Sequence, residues 1–286
     1  MFKLCRYLNT KSQIRIGLVH DDNTVSDLTS AGVELMTPLL ESEDLIARLT
    51  GLSKTDMPKR PLSEVKLLSP VERQEVWAAG VTYLRSKKAR MDESEFSACA
   101  YDRVYDAERP EIFFKSMPEK TVPTGDDVGI RRDAKWNVPE PELALVINSR
   151  GGIVGYTIGN DMSSRDIEGE NLLYLPQAKM YDRSCAVGPF VVVGVTEEIV
   201  RTWKIGVEIQ RLGKTVFSGE TSIDQIKRTF KELAGFLCRS QTFPHGALLL
   251  TGTGIVPNDD FTLQQKDVVR ITVSGIGTLV NPVAIV

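Results

Sequence analysis

Three carboxylates in this chain are spaced for metal chemistry. Glu140 and Glu142 flank Pro141 at the mouth of an apolar run, PEPELALVI, and Asp161 closes the next run, IVGYTIGND. Side chains at i and i+2 of a strand point to the same face, so Glu140 and Glu142 share one. Two carboxylates side by side repel, and each is costly once desolvated; a cation between them keeps both ionised. A turn-forming stretch, Asn148 to Gly152, joins the two runs. A two-residue loop at Arg150-Gly151 sets Asp161 opposite Glu140, whereas a loop at Gly151-Gly152 sets it opposite Glu142. Either register gathers three carboxylates on one face. Oxygen donors with no His or Cys beside them favour Mg²⁺, with Mn²⁺ or Ca²⁺ as substitutes, over zinc or iron. The plain alternative is an edge strand with solvent-facing glutamates, where Pro139 and Pro141 are tolerated.

The elements that must position this cluster are mostly strands. Short runs rich in Val, Ile and Phe recur between Gly, Pro and Asp, at residues 112–114, 143–147, 153–158 and 190–195. Such punctuation predicts an α+β chain that is mostly β. Residues Gln13 to His20 alternate polar and apolar and end at Asp21-Asp22-Asn23, which predicts a hairpin, with a helical stretch near Glu41 to Leu49. Pro58, Pro61 and Pro70 mark a connector. The expected organisation is therefore a small N-terminal α/β domain over residues 1–66 and a larger domain over 67–286. One amphipathic helix is expected from Ser222 to Cys238, behind a Ser222-x-x-Gln225 capping box.

Composition narrows the function classes. The 286 residues are 42% hydrophobic and 26% charged, which suits an ordinary globular core and excludes disordered or collagen-like chains. A net charge of −3, without a basic block, argues against nucleic acid as partner. Cys5, Cys99, Cys185 and Cys238 form no Cys-x-x-Cys pair, so neither a zinc site nor a disulfide framework is expected. The opening MFKLCRYLNT lacks an apolar signal core, and no stretch approaches the roughly 18 apolar residues of a membrane span. A cytoplasmic protein with no membrane partner is the expectation. TGTG at 251–254 lacks the Gly-Lys-Ser/Thr ending of a phosphate loop and reads as a tight turn facing the carboxylates. The charged stretch Arg85 to Glu95 reads as a helical lid or a solvated face.

The segments PEPELALVI and YTIGNDMSSRDIEGENLLYLPQAK, followed by Gly188-Pro189, resemble the core of the fumarylacetoacetate hydrolase family. Its members carry Glu-x-Glu, then Asn-Asp-x-Ser-x-Arg-Asp, then a Lys near a Gly-Pro. The resemblance extends over PEIFFKSMPEKTVPTGD and LLLTGTGIVP, roughly residues 75–286. It implies a distorted β-roll catalytic domain, a Mg²⁺ ion on Glu140, Glu142 and Asp161, and a homodimer or homotetramer. It also implies a pocket lined by Arg165, Glu168 and Lys179. There a metal would chelate the 2-oxo group of a small acid and stabilise the enolate formed when a C3 proton leaves.

One departure from the family pattern narrows the reaction. Hydrolases of the family carry a His at the end of a Gly-x-Asn-Tyr-x-x-His segment to activate water. Here the stretch is Gly80-Val81-Thr82-Tyr83-Leu84-Arg85-Ser86, with Ser86 in the His position. His20 and His245 lie in segments read as surface or turn. GVTYLRSKKAR, YDAERPEIFFK and SSRDIEGENLLYLPQAK resemble the branch that dehydrates 2-keto-3-deoxy-arabinonate to 2,5-dioxopentanoate, a reaction that needs no hydrolytic water. Under this resemblance Lys179 is the proton-transferring group or carboxylate anchor, and Glu111 is a candidate acid or base. Thr278 resembles a substrate-contacting threonine, and Ser86, Arg90, Lys115 and Glu168 are further pocket candidates. The rival readings are a C–C hydrolase or decarboxylase of acylpyruvate or fumarylpyruvate type, with Glu93 or Glu95 reaching the water, and a fold kept for binding alone.

Overall fold

The computed structural model describes residues 1–84 and 103–286. Strands begin with β1 (Phe2–Leu8), β2 (Ile14–Val19) and β3 (Thr24–Asp27), then β4 (Lys59–Pro61) and β5 (Lys66–Leu68). Between β3 and β4 lie α1 (Met36–Leu40) and α2 (Leu45–Leu52), the latter capped by the Asp44 carboxylate on the Ala47 N–H. The helix expected near Glu41 to Leu49 thus starts later, where Asp44 supplies the acceptor. The central run comprises β6 (Glu75–Gly80), β7 (Glu111–Ser116), β8 (Thr121–Val122), β9 (Val128–Ile130), β10 (Asn137–Val138), β11 (Pro141–Ile147), β12 (Ile153–Asp161) and β13 (Ser163–Ser164). Two short helices follow, α3 (Arg165–Glu170) and α4 (Leu175–Lys179), then β14 (Cys185–Val193) and α5 (Glu197–Arg201). The chain ends with β15 (Lys204–Arg211), β16 (Lys214–Ser222), α6 (Phe230–Leu237), β17 (Ala247–Leu250), β18 (Val268–Val273) and β19 (Gly277–Ile285). Strands outnumber helices, as the sequence predicts for an α+β chain that is mostly β.

Twelve strands form one sheet in the order β4-β3-β2-β1-β14-β12-β11-β17-β6-β7, with β5 on β1 and β8 on β14. The N-terminal strands join the rest through β1, whose Leu4 lies opposite Val191 of β14. Every residue of β11 and β14 is buried, which explains why both read as unbroken apolar runs rather than alternating ones. One core gathers Leu4, Ile16, Leu28 and Leu49 with Val146, Val191 and Val193; a larger one fills the space toward the second sheet. That sheet, β16-β15-β18-β19-β9, alternates buried and exposed positions along β18, as a strand with one wet face must.

The β11–β12 hairpin sets the carboxylate register. Pro141 pairs with Asn160, and the Asp161 N–H donates to the Glu140 carbonyl at 3.0 Å, so Asp161 stands opposite Glu140. That is the register expected from an Arg150-Gly151 loop, but the loop is longer. Ile147 pairs with Ile153, and a bulge after Val146 absorbs the odd residue. The Asn148 side chain explains the longer turn, since it accepts the Arg150 and Gly152 N–H groups at 3.1 and 2.9 Å.

The amphipathic helix differs from its expected limits. Residues Ile223–Gln225 form a separate 3₁₀ turn, Ile226 is extended, and α6 starts only at Phe230. Thr229 caps it, accepting the Glu232 N–H at 3.1 Å, while Ser222 makes no side-chain cap bond. The N-cap is therefore Thr229, with the Glu232 carboxylate turned to Arg228, and the apolar spacing continues through the break because Ile223 and Ile226 enter the same core as Phe230 and Leu233. Thr229→Ala should cost about 1 kcal/mol of stability, read as a melting temperature a few degrees lower, with Thr229→Ser close to the parent. Equal melting of parent and alanine variants would show that the cap contributes nothing.

Candidate active site

Five elements converge on the carboxylates. Glu140 immediately precedes β11 and Glu142 is its second residue, Asp161 ends β12, Lys179 ends α4, and Arg165 opens α3. These five and Lys115 of β7 are each 3% exposed or less. One oxygen from each of Glu140, Glu142 and Asp161 lies within 4.8 Å of the others. Around them, Ala79, Gly80, Val81, Phe113, Gly252 and Thr253 complete a cavity with about 10 Å³ open to a water-sized sphere, room for one water.

Each carboxylate has its own counterweight. The Lys179 ammonium donates to Glu140 Oε2 at 2.8 Å, Asp161 Oδ2 at 3.0 Å and Ser163 Oγ at 2.6 Å. Arg165 Nη2 reaches Glu140 Oε1 at 2.7 Å. Lys115 Nζ pairs with Asp161 Oδ1 at 2.5 Å and donates to the carbonyls of Met162 (2.9 Å) and Lys179 (2.5 Å). Among the described residues Glu142 has no such cation. It accepts the Gly252 N–H at 2.5 Å, while burial first, and then Asp161 and Glu140, push its pKa well above the usual carboxylate range. Burial likewise lowers the Lys115 pKa, and Asp161 opposes that shift.

Two glycines make the geometry possible. Gly252 has φ +91°, and a Cβ there would lie 2.1 Å from Thr82 Oγ1, so only glycine brings this N–H onto Glu142. Gly80 pairs with Glu111 across β6 and β7, and a Cβ on Gly80 would meet Glu111 Oε2 at 2.0 Å. The Glu111 carboxylate therefore lies over Gly80, a residue of the cavity lining, without itself being among the described lining residues. The TGTG segment faces the site as its reading as a tight turn implied.

The other sequence candidates fall in three places. Glu168 lies one turn along α3 from Arg165, buried on the same face. Thr278 is on the β18–β19 hairpin, sharing a hydrogen bond with the Thr272 hydroxyl at 3.0 Å, and is not among the described residues lining the cavity. Ser86, Arg90, Glu93, Glu95 and the stretch Arg85 to Glu95 lie outside the described residues. His20 is held by Ser26 at 2.8 Å on the β2–β3 hairpin, away from the cavity. Sequence reasoning passed over Ser163, although its i+2 spacing from Asp161 puts it on the same side of the chain. It also passed over Phe113, whose ring centre is 5.8 Å from Lys179 Nζ. Gly80 carried only the faint signal of a glycine at the end of an apolar run.

A metal is chemically consistent with this donor set. Three buried oxygen ligands, fixed by two adjacent strands and a backbone N–H, match the preference of a hard divalent cation. A cation there would also oppose the upward shift that burial imposes on the Glu142 pKa.

Comparison with known proteins agrees with this geometry. The chain is 44% identical over 278 residues to a probable 2-keto-3-deoxyxylonate dehydratase of Haloferax volcanii, covering 93% of this chain and 94% of the relative. It is 36% identical over 290 residues to 2-dehydro-3-deoxy-D-arabinonate dehydratase of Saccharolobus solfataricus, covering 99% and 96%. A solved structure of 2-keto-3-deoxy-D-arabinonate dehydratase complexed with magnesium and 2,5-dioxopentanoate superposes with a TM-score of 0.83 at 32% identity, over 99% of both chains. Residues 75–284 match the family described as fumarylacetoacetate (FAA) hydrolase, C-terminal, and the carboxylates, Lys179 and Arg165 all lie inside that match. The chain belongs to the fumarylacetoacetate hydrolase family.

Proposed function

We propose that this protein is a Mg²⁺-dependent hydro-lyase that dehydrates a 2-keto-3-deoxy sugar acid, of the arabinonate or xylonate type, to 2,5-dioxopentanoate. The observation that carries the reading is the Lys179 ammonium, fully buried, between two carboxylates of a three-carboxylate cluster. A proton carrier thereby sits beside the group that would hold the substrate's carbonyl. The dehydratase relatives support the reaction class, and Ser86 in place of the hydrolytic His supports elimination over hydrolysis.

Charge supports an anionic substrate. Among the described residues, four buried carboxylates, Glu140, Glu142, Asp161 and Glu168, accompany three buried cations, Lys115, Lys179 and Arg165, which leaves one negative charge when all four carboxylates are ionised, as a bound cation would favour. A divalent ion reverses that to one positive charge, which a monoanionic 2-oxo acid neutralises. Glu140, Glu142 and Asp161 would hold the ion. When bound, Mg²⁺ supplies Lewis acidity at the 2-oxo oxygen and so acidifies C3.

The chain's own groups do the rest. Lys179 is the proton-transferring residue or the carboxylate anchor, and Ser163 keeps its ammonium aimed along the Glu140–Asp161 edge. Glu111, over Gly80, is the acid or base that serves the departing C4 hydroxyl. The C3–H and C4–O bonds break and water leaves a C3=C4 double bond; a proton lost from C5 and one gained at C3 move that double bond to C4=C5, and the resulting enol becomes the aldehyde as its hydroxyl proton is lost and C4 gains one. Arg165 orients Glu140, and Glu168 supports Arg165 along α3. Lys115 braces Asp161 from behind the cavity, its ammonium being spent on scaffold acceptors. Thr278, Ser86 and Arg90 remain proposed substrate contacts. The reading carries with it an N-terminal domain over 1–66 and a catalytic domain over 67–286. It also carries a cytoplasmic homodimer or homotetramer; no helix among the described residues is long and apolar enough to cross a membrane.

Protein stripped with EDTA should form 2,5-dioxopentanoate from a 2-keto-3-deoxy-pentonate only after Mg²⁺ is restored, and should leave acylpyruvates intact. Pyruvate release from an acylpyruvate alone would sink the lyase reading. Lys179→Met should lower kcat by roughly 10²–10⁴-fold, the usual span for a proton-transferring group; a parental rate would remove Lys179 from the chemistry. Excess Mg²⁺ at about 100 times Kd should stabilise the parent by ~2.7 kcal/mol. Glu142→Gln should lose most of that gain in a thermal melt. An undiminished gain would place the ion elsewhere.

A further inference from the structure

Lys227 and Arg228 stand between Ile226 and the α6 cap, and nothing in the reaction above uses them. Both point at the chain that leads into β7. A helical turn over 103–106 ends there, and the last carbonyls of such a turn lack intrahelical partners. Arg228, 7% exposed, supplies donors: Nη2 to the carbonyls of Ala107 (2.6 Å) and Val104 (3.4 Å), and Nη1 to that of Glu108 (3.2 Å). Glu232, one turn along α6, holds the guanidinium at 2.5 Å. Lys227 Nζ donates to the Tyr105 carbonyl at 2.8 Å and to Asp106 Oδ1 at 2.5 Å, and lies 4.2 Å from the Tyr105 ring centre. Arg109 adds a third tie, its guanidinium 5.6 Å from the Phe236 ring centre on α6.

The same dipeptide also grips the other end of the β6–β7 connection. The Lys227 N–H donates to the Thr82 carbonyl at 3.0 Å, two residues beyond Gly80. Thr82 in turn donates its hydroxyl to the Thr251 carbonyl at 2.6 Å, next to Gly252. Gly80 and Glu111 thus leave and enter paired strands whose outer flanks are fastened to residues 227 and 228.

Glu111 needs such a hold. It is the first residue of β7, and β7 is the last strand of its sheet among the described residues, bonded to β6 on one side only. The residue before it, Pro110, has no N–H to offer the ladder. The end of an edge strand is where a sheet frays most readily.

We propose that Arg228, assisted by Lys227, is a positioning residue for the reaction: by clamping residues 104–108 it holds the Glu111 carboxylate over Gly80, which lines the cavity. A guanidinium suits the task because its planar fork reaches three carbonyls and one carboxylate at once, which an ammonium cannot reproduce. Its anchor is rigid, since Phe230, Leu233, Ala234 and Leu237 of α6 are all buried. The proposal rests on the reading that Glu111 takes part in the dehydration.

The test is a double-mutant cycle in the full-length protein, with Arg228→Met and Glu111→Gln singly and together. Each is assayed with Mg²⁺ and a 2-keto-3-deoxy-pentonate, alongside Mg²⁺ titration and hydrogen exchange. Arg228→Met should lower kcat on the order of 10- to 100-fold, as displacement of a catalytic group does. Its Mg²⁺ affinity should stay within about twofold of the parent, because the triad sits on other strands. In the Glu111→Gln background the same change should cost nothing further. Arg228→Lys should not restore the parental rate. Amide exchange over residues 104–113 should quicken in Arg228→Met, a readout independent of turnover. Losses that multiply in the double variant, or Mg²⁺ affinity falling in step with kcat, would reduce Arg228 to a general structural residue. A parental rate in Glu111→Gln would remove the role of Glu111 and this proposal with it, whereas a slow Glu111→Gln beside a parental Arg228→Met would overturn the proposal alone.

Discussion

The structure depends on how a cluster of buried carboxylates is kept from repelling itself. Glu140, Glu142 and Asp161 sit almost wholly out of water, where an uncompensated charge costs several kcal/mol. The compensation is distributed: Lys115 comes from β7, Arg165 from α3, Lys179 from α4, and the Gly252 N–H from the turn after β17. No single element can carry the site, so every element that touches it must be placed to within a hydrogen bond. This explains why Lys115 ties together the carbonyls of Met162 and Lys179 as well as Asp161. It fixes the distance between the strand that presents one ligand and the helix that presents the ammonium.

The same requirement accounts for the sheet. β11 is flanked by β12 and β17, and β12 by β11 and β14, so neither carboxylate-bearing strand is an edge. Central strands have both ladders filled and resist the register slip that would turn every side chain to the other face. Pro139 and Pro141 are tolerated because Glu140 lies just before β11, and its carbonyl is still used by the Asp161 N–H. Glu111 is the contrasting case. It enters at the end of the outermost strand, and its support comes from a helix on the other side of the connection.

Much of this was legible in the sequence, for reasons of period and chemistry. The triad could be read because strand alternation is rigid, and a turn with several glycines allowed only two registers, both of which converge the carboxylates. The mostly β architecture followed from short runs of Val, Ile and Phe between breakers. The limits of α6 were misjudged because Ile223 and Ile226 are buried without being helical, so apolar spacing ran through a break that only the Thr229 cap reveals. The longer β11–β12 turn was hidden because Asn148 acts through its side chain, which competes with the tight-turn pattern of the glycines beside it. Ser163, Phe113 and Gly80 carry no charge pattern. Ser163 matters only once α4 brings Lys179 to it, and Phe113 and Gly80 reach the site through the β17–β6 parallel pairing, which joins residues far apart in the chain.

Sharing a metal-ready triad does not by itself choose between elimination and hydrolysis, since both begin by drawing charge toward a 2-oxo group. The choice lies in the wall opposite the triad. A hydrolase must place and deprotonate a water there, whereas an eliminating enzyme must protonate a leaving hydroxyl and needs only an acid within reach. In this chain the described wall is Ala79, Gly80, Val81 and Phe113, and the carboxylate of Glu111 lies over Gly80. The acid proposed for that leaving hydroxyl is Glu111, so it is this group, and not the triad, that would separate dehydration from the other chemistry the triad could support.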